Sequence, residues 1–232
     1  LAGVEDHVFA ANSTYTNPLS AIEFFKKTGV DALAISYGTM HGASKGKDVK
    51  LRKEIPIAIK ECMNHEGIQG VLVSHGSSTV PQYIVSEINA LGGDIKNAYG
   101  ISKEELKAAI PCGIGKINVD TDIRLAVTRN FRELFRDHPE LKDDPKVGGI
   151  WKLLDEKRDA FDPRAFLAPI MDTVMYGTGD EGSVALITDA MRRGVKEAVG
   201  TLIVEFGSYG KAPLVEMASL EEMAARYAKE GV

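Results

Sequence analysis

Along the first two-thirds of the chain, short unbroken apolar runs alternate with segments whose apolar residues recur every three or four positions. That alternation predicts strands separated by helices. A helix is expected over 18–27, with Asn17 as its N-cap and Pro18 at the first helical position. A strand over 31–38 follows, then a polar loop rich in Gly and Lys over 42–50. Helix 56–66, strand 70–74 and helix 81–91 make the next unit. Ser102 opens a further helix with Glu105 three residues on, the spacing of a capping box. Strand 116–119 then leads into a long amphipathic helix over 122–136, with Asp120 or Asp122 as its expected N-cap. This is βα repetition, and it predicts an α/β fold built on a parallel sheet or barrel.

Past residue 136 the pattern changes. Residues 137–150 are charged and contain Pro and Gly, which predicts a loop. Helices are expected near 151–159, 163–175, 183–206 and 219–229, with no convincing strand among them. The expected organisation is therefore two-part. Residues 1–136 form the sheet with its active-site loops, and 137–232 form a helical extension for packing and subunit contacts. Trp151, the single tryptophan, is assigned to packing. Three strands fall short of the eight strands and roughly 250 residues of a closed (β/α)8 TIM barrel. Either the sheet is open, or the chain is the C-terminal part of a longer barrel. The start at Leu1, with no initiator methionine and no signal-peptide pattern, favours the second.

Composition narrows the classes of function. With 232 residues, 44% hydrophobic and 26% charged, the chain reads as a globular protein. No apolar run approaches the roughly 20 residues that span a bilayer, so no membrane partner is expected. Two cysteines, Cys62 and Cys112, cannot build a disulfide framework. Both are expected to be small buried hydrophobes in a reducing, cytoplasmic setting. A net charge of −5 without a basic stripe argues against nucleic acid. A small anionic substrate remains compatible, because backbone amides and a metal supply positive potential locally.

The chemistry-bearing residues sit where the strands end. The runs ALAISYGTMHG (32–42) and VLVSHGSS (71–78) each place a histidine, His41 and His75, just before a glycine. A third run, IGKINVDTD (114–122), ends in Asn118, Asp120, Thr121 and Asp122. Imidazoles at the C-terminal rim of a parallel β/α structure are common zinc ligands, and a catalytic zinc takes three protein ligands plus an open position. Two histidines leave one ligand missing, so spacing alone leaves a metal site and a simple anion site both open. Gly42 and Gly76 allow close approach of backbone amides to a phosphate, and Ser77 and Ser78 add hydroxyls. The same residues also suit tight strand-to-helix turns. His7, His65 and His138 are assigned structural roles. No lysine is expected at a strand end, so Schiff-base chemistry is not supported.

Taken together, the segments GTMHGA (38–43), SHGSSTVPQ (74–82) and NVDTDIR (118–124) resemble signature stretches of the class II, zinc-dependent fructose-1,6-bisphosphate aldolases. GVED (3–6) is similar to that family's mobile loop, and FDPR (161–164) and LEEMAARY (220–227) to its Calvin-cycle-type branch. The likeness runs through nearly the whole chain in order. It implies the C-terminal portion of a TIM barrel with appended helices, catalysing reversible cleavage of fructose 1,6-bisphosphate into two triose phosphates. It implies a catalytic Zn2+ held by His41 and His75, with a monovalent cation near the phosphate in related enzymes. Gly42, Gly76, Ser77, Ser78 and Thr121 would bind the phosphate of dihydroxyacetone phosphate, with Lys45 lining that loop. Asn118, Val119 and Asp120 would contact its hydroxyl and carbonyl region. Glu5 would be the base, and Arg164 would reach the far phosphate, in a neighbouring subunit of a homodimer or higher homo-oligomer.

Two departures bear on that picture. The family's N-terminal half, with its His-Asp pair supplying the remaining zinc ligand and the catalytic acid, is not in this sequence. Met40 stands where serine is common, and residues near 174–190 look longer than the family's usual helices. Tagatose 1,6-bisphosphate or sedoheptulose 1,7-bisphosphate is the alternative substrate. An inert assembly or phosphate-binding fragment is the alternative of another class.

Overall fold

The computed structural model describes residues 15–41, 48–176 and 181–230. Three βα steps organise the first part. Helix α1 (Pro18–Thr28) starts as its sequence dictates: the Asn17 side chain accepts from the amides of Leu19 and Ser20, with Pro18 in the first turn. It ends at Gly29, whose left-handed φ of 65° lets its amide close on the Phe25 carbonyl. Strand β1 (Ala32–Ile35), helix α2 (Glu54–His65), strand β2 (Val71–Ser74) and helices α3 (Gln82–Ala90) and α4 (Lys103–Ala109) follow, then strand β3 (Ile114–Ile117). The strands pair in parallel in the order β1-β2-β3, with Ala32 opposite Val71 and Ser74 opposite Ile35 on one side and Ile117 on the other. Among the described residues, then, the sheet holds three strands, all running the same way. All three therefore finish on one rim.

The helix α4 cap is half of the expected box. Ser102 Oγ accepts from the Glu105 amide at 3.2 Å. The Glu105 carboxylate does not reach back to Ser102 but takes the Leu51 amide at 3.1 Å and Lys53 at 2.7 Å. It therefore ties α4 to the segment that follows β1. Beneath the rim, Phe25, Ile35, Ile59, Met63, Leu72, Ile101, Leu106 and Ile114 form one apolar cluster.

Helix α5 (Thr121–Asp137) joins this sheet to a helical layer made by α6 (Gly148–Glu156), α7 (Met171–Tyr176) and α8 (Gly182–Glu205). Phe131, Phe135, Ile150, Leu154, Phe166 and Ile187 meet in its core, with Phe131 edge-on to Phe166 at 5.8 Å. Trp151 packs beside Phe135 at 5.7 Å, as expected of a packing residue. Helices α5 and α8 cross so closely at Gly194 that a Cβ there would lie 2.8 Å from the Val127 backbone. The expected helix over 163–175 is instead two short 3-10 turns, Pro163–Ala165 and Ala168–Ile170, before α7. Pro169 explains the difference, since a proline in a helix interior removes an amide donor and clashes with the preceding turn. The expected loop over 137–150 contains a 3-10 turn, Pro139–Asp143, and the start of α6. Cys62 and Cys112 are free but half-buried, less enclosed than expected. Helix α9 (Leu220–Glu230) closes the described chain. No described helix is long and apolar enough to cross a membrane.

Candidate metal and anion site

The parallel register carries His41, His75 and the 118–124 segment to the same rim, because each follows its strand by a few residues. His41 Nε2 and His75 Nδ1 face one another at 2.6 Å, with ring centroids 4.8 Å apart and planes tilted by 50°. Two ring nitrogens at that distance share at most one proton. Burial, and then the positive charge of His41 and Lys116, push the His75 pKa down, which favours the neutral imidazole that ligates metals.

The two loops touch backbone to backbone. Gly76 has φ 65°, and a Cβ there would lie 2.7 Å from the Met40 carbonyl carbon and 2.9 Å from His41 Cδ2. Only glycine fits both the left-handed conformation and the space. Further bonds knit the β2 loop to the β3 loop. The Asn118 amide donates to Ser74 O at 2.9 Å, and the Ser77 amide to Asn118 O at 3.3 Å. Ser78 Oγ accepts from the amides of Asp120 and Thr121 at 3.2 and 3.0 Å.

Asp122 extends this stitching and corrects an expectation. Neither Asp120 nor Asp122 caps α5: Asp120 makes no side-chain cap bond. The buried Asp122 carboxylate instead takes the amides of Thr79 and Val80, both at 2.9 Å, and the Thr79 hydroxyl at 2.7 Å. It thereby holds Val80 at its unusual φ of 50°.

A cavity of about 440 Å³ opens beside the imidazoles. Of the residues singled out in the sequence, His41, His75, Gly76, Ser78, Asn118, Val119, Asp120, Thr121 and Arg164 line it. Ser77 does not: it is fully buried, and its hydroxyl bonds Ser74 Oγ at 2.6 Å inside the fold. Glu5, Gly42 and Lys45 lie outside the described residues.

Two further lining residues, Arg124 and Phe161, belong to the motifs 118–124 and 161–164, but neither was assigned a role from the sequence. Arg124 Nη1 bonds Asp162 at 2.6 Å and its Nε bonds Asp120 at 2.8 Å. Arg164 shares Asp162 at 2.6 Å and, with Arg124, keeps that carboxyl below its ordinary pKa. Arg124 follows Asp120 by four residues, a helical pairing that the sequence carried. Lys116 was also missed. It projects from β3 and its Nζ bonds Asn118 Oδ1, so an amine does reach the rim.

The donor chemistry suits a divalent transition metal. Two imidazole nitrogens bound to one tetrahedral zinc at about 2.0–2.1 Å each stand roughly 3.3 Å apart, so the observed pair needs to open by under about 1 Å. No set of three His, Cys, Asp or Glu side chains converges among the described residues. The neighbouring amides, hydroxyls and arginines suit an anion.

Comparison with known proteins gives a consistent result. The family model described as fructose-bisphosphate aldolase class-II matches residues 1–211. Fructose-bisphosphate aldolase 2 of Cereibacter sphaeroides is 34% identical over 213 residues, 92% of this chain and 49% of that protein. Fructose-bisphosphate aldolase of Thermus caldophilus is 36% identical over 214 residues, 91% of this chain and 56% of that one. A crystal structure of fructose-bisphosphate aldolase from Campylobacter jejuni aligns with TM-score 0.48 at 16% identity, covering 83% of this chain and 45% of that chain. The chain spans about half the length of the curated relatives it matches.

Proposed function

The chain belongs to the class-II fructose-bisphosphate aldolase family, and from that premise we propose that it forms the C-terminal part of a (β/α)8 barrel enzyme cleaving fructose 1,6-bisphosphate reversibly into dihydroxyacetone phosphate and glyceraldehyde 3-phosphate. One observation carries this reading: His41 Nε2 and His75 Nδ1 lie 2.6 Å apart, and both residues line one cavity with Gly76, Ser78, Asn118 and Asp120.

His41 and His75 would hold the catalytic divalent cation, taken as zinc. A cation there supplies Lewis acidity to a ketone carbonyl, worth several kcal/mol. The chain's own residues do the rest. Gly76 and Ser78, with Thr121, frame the phosphate end of the cavity, Ser77 holds that loop through Ser74, and Gly42, outside the described residues, would add its amide to the phosphate. Asn118 and Asp120 orient the hydroxyl and carbonyl region, with Val119 shaping the wall. Glu5, delivered by its loop, takes the proton from the carbon to be joined. Arg164, which lines this chain's own cavity while bonded to Asp162, would take the far phosphate here, in a protein that acts as a homo-oligomer. Lys45 and a monovalent cation complete the phosphate surroundings, and the setting is cytoplasmic.

The test is metal removal in the full-length protein. Chelation is expected to abolish aldol cleavage and Zn2+ to restore it, while borohydride with substrate leaves activity intact. Activity surviving exhaustive chelation overturns the reading. Comparing kcat/KM for fructose 1,6-, tagatose 1,6- and sedoheptulose 1,7-bisphosphate assigns the substrate.

A further inference from the structure

Behind the rim, a chain of hydroxyls runs through the core. Tyr37 Oη lies 2.5 Å from Ser74 Oγ, and Ser74 Oγ lies 2.6 Å from Ser77 Oγ. All three side chains are fully buried. The relay begins two residues after β1 and four before His41, and it ends on either side of His75, at positions 74 and 77. We infer that Tyr37 and Ser74 are positioning residues that set the spacing of the His41 and His75 imidazoles. This inference rests on the metal reading above for its functional meaning, though not for its geometry.

The physical case follows from what each bond can do. Burial raises the Tyr37 pKa, which keeps the phenol protonated, and either hydroxyl of the Tyr37–Ser74 pair can donate. Ser74 bonds onward to Ser77, again with either hydroxyl able to donate, and both hydroxyls flanking His75 become fixed to the backbone segment that leads to His41. The Gly76 contact with Met40 stops the two loops from approaching further. The hydroxyl chain stops them from separating. One contact limits the distance from below and the other from above, so the imidazoles keep to a narrow range of separations that includes the small opening a shared cation needs. Hydrogen bonds in a low-dielectric interior are costly to leave half-made, which gives the chain its stiffness.

The experiment compares Y37F, S74A and Y37F/S74A with the parent in the full-length protein. S74A leaves the Tyr37 and Ser77 hydroxyls buried without that partner, so it lowers Tm, and the double variant regains part of the loss by removing one orphan. Zn2+ affinity behaves differently. It is expected to weaken about tenfold in Y37F and S74A, the scale seen for groups that orient ligands, and to stay weak in the double variant. A second readout needs no metal: the ring 15N resonances of His41 and His75 in metal-free protein shift in Y37F. Affinity that recovers along with Tm, or rings that do not respond, overturns the positioning role. Should the parent bind Zn2+ no better than H75A, the metal reading fails, and the 15N shifts alone decide the spacing role.

Discussion

The rim of the sheet and the helical layer behind it are built by opposite means. At the rim, a handful of directional bonds between loops 43 or fewer residues apart fix the geometry: Ser78 to Asp120 and Thr121, Asp122 to Thr79 and Val80, and Tyr37 to Ser74. In the layer of α5, α6 and α8, aromatic and aliphatic side chains fill a common core around Phe131 and Phe135. A hydrogen bond specifies direction at one atom, whereas apolar packing specifies volume over many. The rim is therefore sensitive in its geometry to single-atom changes. The layer tolerates polar rearrangement outside it but not lost volume.

The strongest way to sharpen that contrast is H75A. It is expected to cut kcat/KM by about a thousandfold, equivalent to about 4 kcal/mol of barrel-site function, while urea unfolding changes little because the ring is only half-buried. A variant that keeps its activity would remove the functional half of the contrast. Next is F131A, in the opposite region. The fully buried ring should cost about 3–4 kcal/mol of stability, read as a lower denaturation midpoint, with zinc affinity of the folded protein unchanged. A coupled loss of affinity would show the two regions to be one unit.

D122N tests the stitching between loops. The buried carboxylate accepts from three donors, and exchanging its charge for an amide should cost about 2 kcal/mol and loosen the Thr79–Val80 turn. Hydrogen exchange at the amides of residues 79 and 80 would report it. Unaltered protection there would mean that the turn stands without Asp122.

Smaller still is E105Q. The Lys53 ammonium and then the Leu51 amide hold the Glu105 pKa down at about 2. Since the folded value lies below the unfolded value of about 4.3, its stabilisation is present above that pH and is lost as pH falls towards 2. The parent should therefore lose more stability than E105Q between pH 5 and pH 2.5, by about 1 kcal/mol. Parallel acid-denaturation curves would contradict it. The smallest effect belongs to M217S, at a side chain 88% exposed, where stability should move by no more than about 0.5 kcal/mol. A larger drop would mean that this exposed stretch packs in solution.

Much of this architecture was legible in the chain. Asn17-Pro18 marked the start of α1, and the three apolar runs marked the positions of β1, β2 and β3 along the chain. The candidate site was legible where residue type alone decides: His41, His75, Gly76, Ser78 and Asn118 all reach the cavity. The misses share a physical form. Asp122 looked like a cap for its own helix, yet its partners lie 42 and 43 residues earlier. Ser77 looked like a ligand donor, yet Ser74 turns it inward. No lysine was expected at a strand end, yet the Lys116 ammonium reaches Asn118. In each case the side chain had several partners of suitable chemistry, and local spacing could not rank them.

The amino-acid order determined the alternation of strands and helices, the glycine that permits the two loops to touch, and the kinds of groups that arrive at the rim. Those properties depend on neighbours within a turn or two, through periodicity, capping and allowed backbone angles. Only the tertiary structure decided that Nε2 of one imidazole meets Nδ1 of the other, that the hydroxyl of Ser77 faces inward, and that Arg124 and Arg164 share one carboxylate. The reason is register. Parallel strands separated by some forty residues bring together groups whose relative orientation no local pattern encodes.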